Sequence, residues 1–359
     1  MMRKIYLIRH GKPDLPEGVR MCIGSTDLPL GSLGRLQAAL AGAALESAGI
    51  SAIYCSRLLR SRQTAALIGG PVTALPGLEE MDAGAWDGLT FDEIRARWPA
   101  LYELRGRDPS ASPPEAETRE SGLKRFSAAV THALGESSGD IAVVAHASVM
   151  QTLLCTAMGL PLDRARSLKL PYGSVSRLTY ETGRFSVLST GVSPHPRPDA
   201  ALCERLLRAA DLPAALSVHC AAVAAEAARI ARALADRGTE LDEALITASA
   251  MLHDIARLEE NHAAAGAARI LALGYPRIAE VVGQHHDLED AARIDEAAVV
   301  FIADKLVRGG ARVTLRERFE KSREKCVTPQ AERAHDQRWK TAVSVAEKIN
   351  ELCGKEVIR

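Results

Sequence analysis

Residues 4–11 read KIYLIRHG. The run Ile5-Tyr6-Leu7-Ile8 is short, apolar and rich in strand-forming side chains, so it reads as a buried strand. It leads directly into Arg9-His10-Gly11. An arginine and a histidine at the mouth of a buried strand are poor core residues, because both are costly to bury unpaired. They suit a phosphate site, where a guanidinium fork clamps oxygens and an imidazole attacks phosphorus.

Working outward, strand-like and helix-like segments alternate. A helix is predicted over 33–48, a strand over 50–54 and a helix over 58–68. A second buried strand is predicted over 141–145, followed by a helix over 149–158. Segments 175–180 and 185–190 read as a hairpin turning at Thr182-Gly183. This alternation predicts an α/β domain, with a mostly parallel sheet and helices on both faces. Residues 105–122 lack apolar periodicity and read as a surface loop over the site or a disordered excursion. Residues 191–199, GVSPHPRPD, hold three prolines in five positions and read as a linker. Beyond it only helical patterns appear, over 217–237, 241–258, 263–273, 277–285 and 296–307, with two more helices after Gly310. The expected domains are therefore 1–190, the linker 191–199, and an all-α domain over 200–359.

Length and composition agree. The chain has 359 residues, 47% hydrophobic and 25% charged, which fits two globular domains. The formal net charge is zero, without the basic footprint of a nucleic-acid binder. No apolar run approaches the length of a membrane span. The first strand starts almost at Met1, which leaves no room for a signal peptide. Seven cysteines, an odd count with no Cys-x-x-Cys pair, read as reduced and mostly buried thiols of a cytoplasmic protein. Neither nucleic acid nor membrane is an expected partner, and the one oligomer considered is a homodimer.

Ligands of open α/β sheets bind outside the carboxyl ends of the strands. Residues that follow other strands should therefore converge on His10. Arg57, Arg60 and Arg62 follow the second strand, and His146 follows the strand over 141–145. Glu79 and Glu80 precede the glycine-rich segment Gly84-Ala85-Trp86-Asp87-Gly88. A neutral imidazole can form a phosphohistidine, with Arg9, Arg60 and His146 holding the phosphoryl oxygens. A carboxylic acid such as Glu80 can protonate the leaving alkoxide and then activate water. That route requires no metal. The blocks IRHG (8–11), IGSTDLPLGSLGRLQA (23–38), YCSRLLRSRQTA (54–65), LEEMDAGAWDG (78–88) and VVAHAS (143–148) resemble the histidine phosphatase superfamily, which includes the cofactor-dependent phosphoglycerate mutases. The resemblance spans 3–190. It implies a phosphoglycerate mutase-like fold, His10 as nucleophile, Arg9, Arg60 and His146 as phosphate ligands, and Glu80 as general acid. Ala147-Ser148 replace the glycines usual after the second histidine, and Lys12-Pro13 replace a polar pair.

After the linker, imidazoles and carboxylates cluster again: His219, His253-Asp254, His262, His285-His286 and Asp304. Adjacent His and Asp in an apolar helical stretch need a partner, and a divalent metal provides one. Nitrogen and carboxylate donors suit Mn, Fe, Co, Ni, Zn or Mg. The pattern resembles the HD-domain phosphohydrolases over about 200–310. That resemblance implies His219, His253, Asp254 and Asp304 as ligands of a first metal. His262, His285 and His286 occupy positions that supply a second. Arg257 stands where family members often carry a lysine, and is expected to bind phosphate. His335 reads as a helix-cap or surface residue. Together the two halves predict a bifunctional hydrolase of small phosphorylated metabolites or nucleotides. A phosphatase regulated by a nucleotide- or metal-sensing HD domain, and a phosphomutase, are the alternatives.

Overall fold

β1 (Arg3–Arg9) is buried from Ile5 to Ile8. After it come α1 (Ser32–Leu45), β2 (Ala52–Cys55), α2 (Leu59–Ile68) and β3 (Val72–Ala74). Next are α3 (Phe91–Arg97), α4 (Pro99–Arg107), α5 (Arg119–Glu136), β4 (Ile141–Ala145) and α6 (Ala147–Ala157). The hairpin β5 (Val175–Glu181) and β6 (Arg184–Val192) closes this half. The structure, a computed structural model, describes residues 2–108 and 111–359. It divides into two units, Met1–Pro196 and Arg197–Arg359.

The first unit is built on one six-stranded sheet in the order β3-β2-β4-β1-β5-β6. β3, β2, β4 and β1 are parallel, and β5 and β6 are antiparallel additions at one edge. Alternate residues of the strands serve opposite faces. Ile5, Leu7 and Val143 pack with Phe126 and Val130 of α5 and with Met150 and Leu153 of α6. Tyr6, Ile8 and Val144 pack with Ala41 and Leu45 of α1 and Ala65 of α2. A strand covered on both faces has no polar side, hence the unbroken apolar run of residues 5–8.

Register then positions the site. Arg9 lies opposite Ala145, and Cys55 lies opposite Val144. The residues that follow these strands, His10, His146 and the start of α2, are thereby set side by side. Gly11 is fixed by close approach: a Cβ there would overlap the Gly34 carbonyl, and one on Gly34 would overlap the Lys12 carbonyl. The β5–β6 turn places Thr182 and Gly183 at φ 48° and 82°, the left-handed pair that a two-residue hairpin of matching twist needs.

Two expectations change. The predicted loop over 105–122 is helical at both ends, where α4 runs to Arg107 and α5 starts at Arg119, while Pro109 and Ser110 lie outside the described residues. The expected linker begins too early, because Gly191 and Val192 still belong to β6 and Val192 pairs with Val175. The second unit is helix-rich, as expected, apart from one short ribbon. Its helices are α7 (Ala200–Ala209), α8 (Ala214–Ala235), α9 (Glu243–Leu252), α10 (His262–Ala272), α11 (Pro276–Gly283) and α12 (Glu296–Lys305). A ribbon of β7 (Val307–Arg308) and β8 (Ala311–Arg312) follows, then α13 (Leu315–Arg323) and α14 (Pro329–Cys353).

α12 is the core of this unit, with every residue from Ala297 to Lys305 buried. α8 is long and apolar enough to pass a length-and-hydropathy test for a membrane span, a property its alanine content hides from an eye seeking large side chains. It packs as a core helix against α9 and α12. It also carries a buried carboxylate, Glu226, bonded to Arg229 at 2.7 and 2.9 Å.

Candidate functional sites

In the first unit, the His10 side chain is buried, 5% exposed. Its Nδ1 lies 2.7 Å from the Gly11 carbonyl. A carbonyl only accepts, so Nδ1 carries the proton and Nε2 keeps its lone pair. Arg60 Nε donates to that Nε2 at 3.3 Å. Burial, then Arg60 and Arg9, push the imidazole well below its usual range, so it is neutral at physiological pH. Arg60 is itself buried at the start of α2, with its two terminal nitrogens donating to the carbonyls of Thr26 and Gly24 at 2.7 and 2.9 Å.

Arg9 donates to the Leu170 carbonyl at 2.6 Å and lies over the Tyr172 ring, 3.7 Å from its centroid. His146 is fully buried, its ring centroid 4.9 Å from that of His10. Neither of its nitrogens has a hydrogen-bond partner among the described residues. Buried polar atoms are rarely left so, and a phosphoryl oxygen would satisfy this one.

The two adjacent glutamates separate. Glu79 pairs with Arg57 at 2.6 Å and accepts from the Gly77 N–H. Glu80 instead sits at the α6 N-terminus beside His146, accepting from the N–H groups of Met81, Val149 and Ser148 at 2.9 to 3.0 Å. Ser148 therefore meets Glu80 through its backbone. A cavity of about 270 Å³ is lined by Glu80, Ser148, Arg105, Arg119 and Arg166. The sequence reading missed these three arginines. They lie outside the quoted motifs, in segments without apolar periodicity, so only the fold brings them together.

A supporting chain runs behind Arg60. The Asp87 carboxylate accepts from the backbone N–H groups of Gly24 and Thr26 at 2.7 and 2.9 Å and from the hydroxyls of Ser25 and Thr26. It thus fixes the turn whose carbonyls hold Arg60. Asp87→Ala is expected to lower kcat for phosphate release by about ten- to a hundredfold, the scale of a small misplacement of a reacting group. KM should move less. An unchanged kcat in a folded variant would remove Asp87 from this role.

His10 and His146 also set a pH dependence. Burial lowers both, helped at His10 by Arg60 and Arg9 and at His146 by His10 and Arg60. In the unfolded chain both take up protons near pH 6.5. Stability from these groups is therefore full above about pH 6.5 and falls as pH drops below it. The slope is at most about 1.4 kcal/mol per pH unit for each imidazole. The midpoint of the first unit's thermal transition should fall as pH is lowered from 7.5 to 5. His146→Gln should flatten that fall, and an equal slope in the variant would refute the assignment.

In the second unit the HD residues lie just past a helix end. α9 stops at Leu252, so His253 and Asp254 occupy the turns that follow rather than a helix over 241–258. Two groups of three ligand atoms form, each within 4.8 Å: His219, His253 and Asp304, and His262, His285 and His286. Asp254 lies between them, 3.5 Å from His253, 3.3 Å from His262 and 3.6 Å from His285. All seven expected ligands are thus brought together. Backbone carbonyls of Gly309, Ala250 and Val282 engage Nδ1 of His219, His253 and His285 at 2.7 to 3.1 Å. This leaves each Nε2 for the cluster, and those of His253 and His285 are buried without hydrogen-bond partners among the described residues. Rings anchored through Nδ1, with bare Nε2 atoms facing two carboxylates, fit a divalent metal.

Arg257 lies 3.5 Å from Asp254 and 2.8 Å from His262 Nε2, at the edge of the cluster. Lys305 Nζ bonds Asp304 at 2.8 Å and the His285 carbonyl at 3.0 Å. His335 is no surface residue. It is largely buried, its Nε2 bonded to Ser322 Oγ, and it lines a cavity of about 630 Å³ together with His219, Asp254 and Asp304.

Comparison with known proteins matches this division. The model of the histidine phosphatase superfamily, branch 1, matches residues 5–193, and that of the HD domain matches residues 216–309. The human protein "6-phosphofructo-2-kinase/fructose-2,6-bisphosphatase 1" is 31% identical over 180 residues, 49% of this chain but 37% of its own length. The "Probable phosphoglycerate mutase GpmB" of Yersinia pestis (strain Pestoides F) is 30% identical over 188 residues, covering 50% of this chain and 86% of the relative. Among solved structures, "Mycobacterial hydrolase 2" superposes with a TM-score of 0.50 at 25% identity, covering 58% of this chain and 97% of that one. A buried His/Arg cluster at the strand ends of one unit and a His/Asp cluster in the other thus fall within the matched segments: the chain belongs to the histidine phosphatase superfamily, and it carries an HD domain after that first domain.

Proposed function

We propose that the chain is a bifunctional hydrolase: a phosphomonoesterase working through a phosphohistidine on His10, joined to a metal-dependent HD phosphohydrolase acting on small phosphorylated metabolites or nucleotides. The observation that carries the first half is the His10 Nε2 lone pair, held by Arg60 beside a His146 ring with no hydrogen-bond partner among the described residues. Nε2 attacks phosphorus, the N–P bond forms and the ester P–O bond breaks. Arg9, Arg60 and His146 hold the phosphoryl oxygens as charge spreads over them. The departing alkoxide takes a proton from Glu80. Glu80 Oε2 accepts one backbone N–H, which leaves a lone pair to carry that proton. Water then attacks phosphorus, Glu80 takes the water's proton, and the N–P bond breaks to restore His10. Arg105, Arg119 and Arg166 beside Glu80 favour a substrate with a second anionic group.

In the HD unit His219, His253, Asp304 and Asp254 would hold one divalent cation. His262, His285 and His286 would hold a second, which shares Asp254. The bound cation supplies Lewis-acid polarisation of a phosphoryl group. Arg257, at the cluster edge, binds a phosphate oxygen. A cytoplasmic location and a homodimer complete the reading.

The test is phosphate release across sugar phosphates, nucleotides and dinucleotide polyphosphates, with and without chelator. Two activities are expected, one resistant to chelator and one abolished by it and restored by Mn(II). A single chelator-resistant activity that responds to nucleotide would favour an HD domain acting as a sensor. Transfer of the phosphoryl group to an added sugar phosphate instead of water would favour a mutase.

A further inference from the structure

The HD match ends at residue 309, yet the cavity over the cluster is closed on one side by residues beyond it. Arg318, Phe319 and Ser322 of α13, the following Lys325, and His335 of α14 form that wall. At about 630 Å³ the cavity is far larger than one phosphate and falls in the range of pockets for drug-sized ligands.

Its charge is uneven. Arg257 faces Asp254, Lys305 is bonded to Asp304, and Arg338 is bonded to Asp287 through two contacts of 2.7 and 2.8 Å. Arg318 reaches no closer than 3.9 Å to Asp304, and Lys325 has no ion pair among the described residues. The wall therefore offers two cations not committed to close partners. His335 is fixed in the wall, its Nε2 3.1 Å from the Phe319 carbonyl and its Nδ1 3.7 Å from the Asp336 carboxylate.

We propose that α13 and α14 make the HD pocket a site for a ligand carrying a di- or triphosphate, with Arg318 and Lys325 binding a phosphate beyond the one at the metal cluster. The proposal rests on the reading of the HD cluster as a metal-dependent phosphate site. It assigns specificity to a segment outside the matched domain.

The experiment measures equilibrium binding to the full chain with and without Mn(II). The probes are α,β-methylene-ADP, whose bridge resists hydrolysis, and orthophosphate. The Mn(II)-dependent part of binding reports the HD unit. Wild type should bind α,β-methylene-ADP at least about tenfold tighter than orthophosphate. The variant Arg318→Ala with Lys325→Ala should lose about tenfold for α,β-methylene-ADP and less than twofold for orthophosphate, with Mn(II) content unchanged. Lys325→Ala alone, at an exposed position, covers the case in which the double variant does not fold, with an expected loss of about threefold. Equal losses for both probes, or no loss, would overturn the inference. Absence of Mn(II) binding, or of any Mn(II)-dependent binding of both probes, would instead overturn the metal-site reading beneath it.

Discussion

His10→Ala is expected to cut chelator-resistant phosphate release by at least about 10⁴-fold, the scale of losing a nucleophile that acts as a unit with its partners. Several features make this side chain irreplaceable. Its Nε2 lone pair is fixed by the Nδ1 contact to Gly11, and Arg60 holds it from the other side. His146, the nearest other imidazole, is a full ring-centroid spacing of 4.9 Å away and follows a different strand. Water entering the space left by alanine lacks that fixed lone pair. Radiolabelled phosphate should remain on the wild-type protein after an acid-free quench and be lost in acid, as a phosphohistidine requires, and the variant should carry none. Arg60→Ala should lower the rate while keeping some label, since it removes a clamp and not the attacking atom. Full activity in His10→Ala, with the label still present, would move the nucleophile elsewhere.

Much of this site is legible in the sequence because the fold's constraint is local and repetitive. KIYLIRHG announces a strand with two covered faces and a charged end, and IAVVAHAS at 141–148 announces another. Parallel pairing then puts His10 and His146 together without further information. In the sequence only the family resemblance picks Glu80 over Glu79, and the structure supplies the physical difference: Arg57 claims Glu79, and the α6 N-terminus claims Glu80. What was missed is instructive too. α5 carries its apolar stripe in Phe126, Val130, Ala133 and Leu134, at intervals of four, three and one, and its signal lies beyond the polar run 105–122. Alanine-rich helices blur their ends, so the reading carried α9 past Leu252 and put His253-Asp254 inside a helix. The α13–α14 wall was beyond reach. Its residues are charged and exposed by pattern, and only tertiary packing places Arg318 and His335 over a cluster formed far earlier in the chain.

Asp254→Asn should strip the HD unit of most of its metal. Asp254 lies within 3.6 Å of three imidazoles, drawn from both ligand groups, so one carboxylate serves the two sets. An amide keeps the size and can still accept a hydrogen bond, but it brings no negative charge, and only a carboxylate carries charge on both oxygens. Metal counted by mass spectrometry after gel filtration should fall from about two ions per chain to one or fewer, by the ligand loss alone. Mn(II)-dependent hydrolysis should fall by at least about 10³-fold, since the loss removes the polarising ion itself. The buried neighbours Asp304 and Lys305 remain paired, so the unit is expected to fold. Chelator-resistant activity should be untouched, because His10, Arg60 and Glu80 belong to the other unit. That pairing of outcomes separates the two readings of the HD domain. If Asp254→Asn removes both metal and a metal-dependent turnover, the domain is a second catalyst. If it removes metal but the wild type shows no such turnover, and nucleotide no longer alters the His10-dependent rate, the same residues form a sensor. Two ions retained with full Mn(II)-dependent turnover would refute Asp254 as the shared ligand.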